Sequence, residues 1–413
     1  MSGRTMSKIN ILFKGKIIPR RKSHFIKGEF LLFLKSLFDK SSFPSENISE
    51  FEDKFASFIK VECAVAVSSG RKGMELILRA LNLQPEDEVI IPAYTLGSLV
   101  DIIKSLGLVP VPADIDIKTF NMDPASVNKR ISGKTRAILA THLFGTPCKI
   151  DEIIDIAKDK SIYVIEDCAH SAGSKFKNKY TGAFGDISFF SFEVIKPLNT
   201  YGGGMVVTNN KKLAEEVRRL SCQSNTEATV CFKKIYTAFF ESYFLSTFLS
   251  FPFLYLLSSR KFNKVIYKIY RRMQNTSKAR KPFTGFQAYL GLCKLATLEQ
   301  RIRKRQELAN HFKSLLSADI APQGIEFDST PNYYFFVARL PSNTDLVRRK
   351  LLKQGIDAGI GSEIADDCGA ALNHQDCPKA RQVFMQTIQL PLYEGLSIDD
   401  IEYLSNKLKS VLQ

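Results

Sequence analysis

Two side chains within residues 164–208 have the types and setting for amine chemistry. Val164-Ile165 is a short apolar run that ends in Glu166-Asp167. It reads as a buried strand delivering a carboxylate at its C-terminal end, the edge along which open α/β sheets bind ligands. Ile187–Phe192 is a second strand-like run. Lys196 follows, then Pro197, Gly202-Gly203-Gly204 and the strand Met205-Val206-Val207-Thr208. A lysine and a buried aspartate on neighbouring strand ends suit pyridoxal phosphate (PLP). The amine forms a Schiff base with the cofactor aldehyde, and the carboxylate keeps the pyridine nitrogen protonated so that the ring accepts electrons. A buried lysine also loses its proton readily, which suits a nucleophile and a proton shuttle. The spacing alone leaves an ordinary core strand followed by a surface lysine equally open, because Asp…Lys pairs are common.

The elements that must position these groups alternate between strand and helix. Ser45–Phe58 reads as a helix with Glu46, Glu50, Glu52 and Asp53 near its start, where the macrodipole favours them. Cys63–Val67 is a buried strand, followed by the turn Ser68–Gly73 and an apolar-periodic helix from Met74 to Leu81. Such a strand–turn–helix start presents backbone N–H groups to an anion. Glu88–Thr95 is a strand with its exit loop, and Val109–Asp116 and Ala137–Ala140 are further strands. His142, just after the last of these, reads either as a strand-end cap or as a ligand contact. The β-α-β-α alternation through residue 208 predicts a mostly parallel sheet. Lys211–Leu220 is a helix, and Leu292–Leu316 a long charged one with Arg301-Ile302-Arg303-Lys304-Arg305 as its exposed face. After Pro322 come a strand at Tyr333–Leu340, a helix near Thr344–Gln354, a glycine-rich turn at Gly355–Gly361 and a last helix at Ile398–Leu412. These predict a smaller α/β domain over 317–413, following a large domain over 46–316 and an N-terminal arm over 1–45.

The chain has 413 residues, long enough for two domains, and 45% hydrophobic residues, enough for a substantial core. Its eight cysteines show no C-x-x-C pair, which argues against a zinc site or a disulfide framework and for a reducing cytoplasm. No clean signal-peptide pattern opens the chain, because the apolar run Phe30–Phe38 is short and interrupted by Lys35. The net charge is +16, and two segments hold all of the excess: +8 in residues 1–45 and +9 in residues 225–281, leaving −1 for the other 311 residues. The second segment encloses an aromatic block, Phe239–Leu257, flanked by Lys233-Lys234 and by Arg260-Lys261, Lys264, Lys268 and Arg271-Arg272. Glu241 and Pro252 argue against a simple transmembrane helix. A helical hairpin lying on an anionic membrane surface fits better, with the short apolar helix Glu29–Phe38 of the arm as a second contact. Burial of either segment against a partner domain or subunit is the alternative. Nucleic acid is disfavoured, since its grooves do not need such an apolar block.

The central stretch resembles the signature region of the DegT/DnrJ/StrS sugar aminotransferases, fold-type I PLP enzymes. The matching residues are Glu166-Asp167-Cys168-Ala169-His170, Gly182-Ala183-Phe184-Gly185-Asp186, Phe190-Ser191-Phe192-Glu193-Val194-Ile195-Lys196 and Gly203-Gly204. The resemblance implies Lys196 as the Schiff-base lysine, Asp167 as the partner of the pyridine nitrogen, Ser191 as a phosphate ligand and His170 beside the ring. It places the cofactor phosphate at Gly70, Arg71 and Lys72, where Arg71 replaces the family's threonine. The family's ring-covering aromatic falls at Leu96, with Tyr94 the nearest aromatic. An asparagine that the family lends across its dimer falls near Arg280. The family's Tyr-x-x-x-His after the glycine-rich turn is missing from Gly361–Cys368. The resemblance implies a homodimeric aminotransferase that moves an amine, with glutamate as donor, onto a nucleotide-linked or otherwise activated keto sugar; the altered loops and the apolar insertion add a membrane-associated substrate, such as a lipid-linked sugar, as an alternative. PLP-dependent sugar dehydration is the rival chemistry, disfavoured because related dehydratases carry histidine in place of the lysine. A non-catalytic membrane-surface scaffold is the rival of another class, disfavoured by the joint presence of Lys196 and Asp167.

Overall fold

Seven runs rich in Val, Ile, Ala and Phe pair into one sheet in the computed structural model, which describes residues 16–222, 232–245, 250–259, 262, 282–341 and 343–413. The strands are β1 (Cys63–Val67), β2 (Glu88–Pro92), β3 (Val109–Ala113), β4 (Thr135–Thr141), β5 (Tyr163–Asp167), β6 (Ile187–Ser191) and β7 (Gly204–Thr208). Their spatial order is β1-β7-β6-β5-β4-β2-β3. Strands β2 to β6 run parallel, whereas β7 is antiparallel to both of its neighbours, β6 and β1. Every strand except β7 therefore points the same way, as the mostly parallel expectation requires. Strands β6 and β7 are buried on both faces, so they read as continuous apolar runs rather than as alternating ones.

Register decides what meets at the carboxyl edge. Gly204 at the start of β7 lies opposite Val67 at the end of β1 and Ser191 at the end of β6. Asp167, at the end of β5, pairs with Phe189, two residues before Ser191. The turn after β1, the aspartate of β5 and the serine of β6 thus share one edge of the sheet.

A second, antiparallel sheet joins Ala321–Pro322, Phe336–Arg339, Thr387–Leu390 and Gly359–Ile360. It packs its own apolar core against helices Thr344–Lys353 and Ile398–Leu412. The long helix expected from Leu292 is two helices, Gly285–Leu295 and Leu298–Leu315, broken at Ala296-Thr297. The later helix serves both cores: Leu298 and Ile302 pack beside the large sheet, and Leu308, Ala309 and Phe312 beside the small one. The expectation of an exposed basic face on this helix is wrong at two positions. Arg301 and Arg305 are buried, because both reach Glu394 beyond the second sheet, at 3.3 and 2.8 Å.

The described part of the arm, residues 16–45, is built into the body. Ile18 bridges to Ile356, and the Arg20 guanidinium pairs with Asp357 at 3.0 Å and Glu363 at 2.7 Å. Helix Glu29–Phe38 begins with a buried carboxylate. Glu29 accepts hydrogen bonds from the Ile26 amide at 2.6 Å, from the Tyr201 hydroxyl and from the buried Lys294 amine at 2.7 Å. Lys294 also donates to Asn199 Oδ1 at 2.8 Å. Of the 225–281 segment, helices Phe232–Leu245 and Ser250–Leu257 are described. The first buries Ile235 and Ala238 against Phe33, Tyr201, Phe286 and Leu290, and the second lies along helix Thr344–Lys353. Phe25 of the arm stacks on Phe239 at 4.5 Å. The turn of the expected hairpin, most of its basic flank and Arg280 lie outside the described residues, as do residues 1–15. Among the described residues no helix is long and apolar enough to cross a membrane.

Candidate active site

Asp167 ends β5 with its side chain buried. Oδ1 accepts from the Ala169 amide at 3.0 Å, while Oδ2 has the Thr141 hydroxyl at 3.5 Å, the long limit of a hydrogen bond. Burial pushes this carboxyl above the ordinary carboxylate range, against the pull of the Ala169 N–H and of Lys196. An acid so placed gains from a cationic N–H donor, and a protonated pyridine nitrogen is such a donor. The residues present therefore fit PLP at this point.

Lys196 lies in the loop between β6 and β7, half-buried, with its amide on the Glu193 carbonyl at 2.9 Å. Burial lowers its amine to about 7, against Asp167 and Glu193, which favour the charge, and with Arg21, which opposes it. Its Nζ lies 4.3 Å from the centroid of the Tyr334 ring. His170 is buried, and its Nδ1 accepts from the Phe144 amide at 3.2 Å, so the ring proton sits on Nε2. Burial, followed by the charge on Lys196, holds His170 well below its ordinary value and keeps it neutral. The imidazole stacks on Tyr334 at 4.5 Å and on Phe144 at 6.0 Å. The fold thus brings Asp167, His170 and Lys196 into one electrostatic neighbourhood.

The turn expected over Ser68–Gly73 is helix from Gly70 onward. Helix Gly70–Ala80 starts at the glycine because the Ser69 hydroxyl accepts from the Lys72 amide at 3.1 Å and caps it. Gly70, Arg71 and Lys72 are its first turn, where backbone donors face outward. A Cβ on Gly70 would stand 2.9 Å from the Ser191 Cβ and 3.2 Å from the Phe190 carbonyl oxygen, so only glycine lets helix and strand approach this closely. Arg71 is half-buried and has no ion-pair partner among the described residues. Lys72 instead pairs with Glu75 at 3.0 Å on its own helix. Helix start, Ser191 hydroxyl and Arg71 make a setting for a phosphate.

The other candidates lie around this centre. Tyr94 is fully buried, its ring edge-on to Phe144 and Phe384. It lies in the core one ring removed from His170, and its buried hydroxyl has no hydrogen-bond partner among the described residues. Leu96 caps helix Gly97–Ser105 and packs on the cluster that includes Leu99 and Ala169. His142 is fully buried, with Nε2 3.0 Å from Glu166 and Nδ1 accepting from the Cys148 amide at 3.1 Å. Glu166 also accepts from the amides of Gly182, Phe184 and Gly185 at 2.7–2.8 Å. That pair shapes the 182–185 turn. Cys168 completes a tight group with His142 and Glu166, but both of those side chains are already engaged, which leaves nothing for a metal.

Tyr334 went unnoticed in the sequence, where it is one aromatic in a strand-like run. Its position depends on Asn332, fully buried, whose Nδ2 donates to the His170 and Ala172 carbonyls at 2.9 and 3.0 Å. No local signal marks a contact that spans 162 residues.

Comparison with known proteins follows the same residues. The model of the DegT/DnrJ/EryC1/StrS aminotransferase family matches residues 34–240 and 281–409 and passes over 241–280, inside the apolar and basic insertion. GDP-perosamine synthase of Escherichia coli O157:H7 is 45% identical over 166 residues, 40% of this chain and 46% of that protein, so the match spans about half of that relative. Spore coat polysaccharide biosynthesis protein SpsC of Bacillus subtilis (strain 168) is 26% identical over 379 residues, 89% of this chain and 90% of that one. Among solved structures, aminotransferase TlmJ of Streptoalloteichus hindustanus superposes with TM-score 0.76 at 21% identity, covering 96% of this chain and 99% of its own. Helicobacter pylori PseC, an aminotransferase involved in the biosynthesis of pseudoaminic acid, does so with TM-score 0.75 at 18% identity, covering 96% and 99%. The fold is that of the fold-type I aminotransferases. With the family model spanning both sheets and the stretch that carries Asp167, Ser191 and Lys196, this chain belongs to the DegT/DnrJ/EryC1/StrS aminotransferase family.

Proposed function

We propose that the protein is a PLP-dependent aminotransferase that converts a keto group of an activated sugar to an amine, with glutamate as donor. The observation that carries this reading is the half-buried Lys196 amine, lowered to about 7 beside the buried Asp167 at the carboxyl edge of the sheet. PLP, when bound, supplies the electron sink that the chain lacks. Asp167 would hold the ring nitrogen, and Ser191, Arg71 and the first-turn amides of Gly70 and Arg71 the phosphate, the Lys72 amide being held by the Ser69 cap. Lys196 would hold the cofactor aldehyde through its free amine and would otherwise take up or give back a proton, which a midpoint near neutrality allows in both directions. Neutral His170, with its proton on Nε2, offers a donor beside the ring. The sugar-linked activities of the named relatives support a keto-sugar substrate. The experiment is the visible absorption spectrum of the purified protein, with and without glutamate, beside Lys196→Ala. A band that glutamate bleaches and the variant lacks is expected. A protein that takes up no PLP would overturn the reading.

The same proposal includes a homodimer and docking on an anionic membrane surface from the cytoplasmic side. Tyr236, Phe240 and Tyr243 recur at helical spacing on helix Phe232–Leu245, 64%, 57% and 74% exposed, and Leu31 and Phe38 of the adjoining arm helix are 70% and 88% exposed. The contacts of Phe239 with Phe25 and Phe30 bring the two helices together, joining the two segments that hold the excess positive charge. Co-sedimentation with phosphatidylglycerol vesicles, but not with phosphatidylcholine ones, is expected. Absence of binding together with a dimer that shields these aromatics would assign the face to the subunit contact.

A further inference from the structure

We propose that Tyr334 is a further active-site residue, whose ring face carries the Lys196 amine, and that Arg301, Arg305 and Glu394 form the clamp that sets this contact. The inference rests on Lys196 being the reactive amine. Lys196 Nζ stands 4.3 Å from the Tyr334 centroid, within the range where the negative face of an aromatic ring attracts a cation. The ring is buried and held flat against its neighbours, stacked on His170 at 4.5 Å and on Phe335 at 4.0 Å. Its amide donates to Asn332 Oδ1 at 2.9 Å. Asn332 in turn donates to the His170 carbonyl, and Gly145 makes room for it, since a Cβ there would fall 2.0 Å from Asn332 Oδ1.

The clamp closes the geometry from the other side. Arg301 Nη1 donates to the Pro197 carbonyl at 2.6 Å, directly after Lys196. Arg305 Nη1 donates to the Tyr333 carbonyl at 3.3 Å, directly before Tyr334. Both guanidinium groups pair with the one carboxylate of Glu394, one on each oxygen. Amine loop and ring segment are therefore referenced to the same anion, on one helix that spans both cores. Arg301, Arg305 and Glu394 touch neither cofactor nor substrate and act as positioning residues.

The chemical consequence is a balance of charge at the amine. Asp167, Glu193 and the ring face favour ammonium, whereas burial and Arg21 favour the free base, with neutral His170 alongside. The ring keeps the buried amine from losing its proton too early and gives it a resting place whenever it leaves the cofactor. Competitive acylation of the cofactor-free protein over pH 5.5–10, with mass spectrometry of the Lys196 peptide, reads the amine directly. Tyr334→Phe should keep the wild-type midpoint. Tyr334→Leu should lower it by about half to one pH unit, and Arg305→Met should move it the same way. Arg305→Lys, which retains a donor, should restore part of the shift. An unmoved midpoint in Tyr334→Leu overturns the inference, and so does an equal shift in Tyr334→Phe, which would assign the effect to the hydroxyl. An unmoved Arg305→Met overturns the clamp. Because this readout needs no PLP, it fails independently of the proposed function, which stands or falls on the Lys196-dependent absorption band.

Discussion

Lys196 is poised by opposing forces on a single amine. Removal from water lowers its proton affinity, two carboxylates restore part of it, and the result lies near 7. The free base is then a large fraction at neutral pH and falls away as pH drops below 7. The rate of PLP capture by the cofactor-free protein should therefore rise through that midpoint, as stopped-flow absorbance would show. Asp167→Asn removes the charge that would hold the ring nitrogen protonated and leaves the lysine in place. Turnover with glutamate and a soluble keto sugar should fall on the order of 10²-fold or more in steady-state assays. Gly70→Ala places a methyl 2.9 Å from Ser191 and presses helix and strand apart where the phosphate would sit. Equilibrium dialysis should show weaker PLP retention, by about tenfold, a loss of about 1.4 kcal/mol.

At the scale of elements, the arm helix is tied down by a buried ion pair rather than by apolar contact alone. Lys294 is wholly buried, and burial lowers its amine to about 8 although Glu29 pulls the other way. Glu29→Ala leaves that amine without its counterion, which costs on the order of 3–5 kcal/mol in denaturant unfolding. The double change Glu29→Leu with Lys294→Met, apolar on both sides, should cost distinctly less. The insertion helix has a weaker, half-exposed ion pair at its base, Lys234 with Glu193, three residues before Lys196. Tyr236, Phe240 and Tyr243 on its outer face are exposed. Replacing Tyr236, Phe240 and Tyr243 by Ser should leave unfolding within about 0.5 kcal/mol, as exposed positions do, while abolishing vesicle binding.

Across the whole molecule, two cores share helix Leu298–Leu315, and Glu394 fastens that helix to the second sheet. Burial raises Glu394, but Arg305 and Arg301 more than offset this and bring it to about 2. A carboxyl lowered in the fold stabilises in full above its ordinary value of 4.5 and loses that contribution as pH falls towards 2. Glu394→Gln should therefore flatten the dependence of melting temperature on pH between about 4.5 and 2.5, relative to wild type, in calorimetry. The two cores should also separate more readily in the variant, visible as a broader transition.

The central strands, their mostly parallel sheet and the candidate lysine and aspartate were legible in the chain itself, whereas the spatial order of the strands was not. Val164–Asp167 and Ile187–Ser191 are apolar runs ended by polar residues and turns, and a strand buried on both faces needs only that local pattern. The family likeness of the 166–204 stretch rests on residues close in sequence and so survives without coordinates. The helix start at Gly70 needed one more local fact, the hydroxyl of Ser69, which a reading centred on the glycines passes over. The tertiary structure alone decided the rest. Arg301 and Arg305 look solvated until Glu394, 93 and 89 residues away, neutralises them inside the protein. The charged start of the arm helix turns inward because Lys294 waits 265 residues downstream. Tyr334 comes to Lys196 because Asn332 and two arginines hold distant carbonyls in place. A buried charge is tolerated only where its partner is, and sequence periodicity carries no information about partners so far apart.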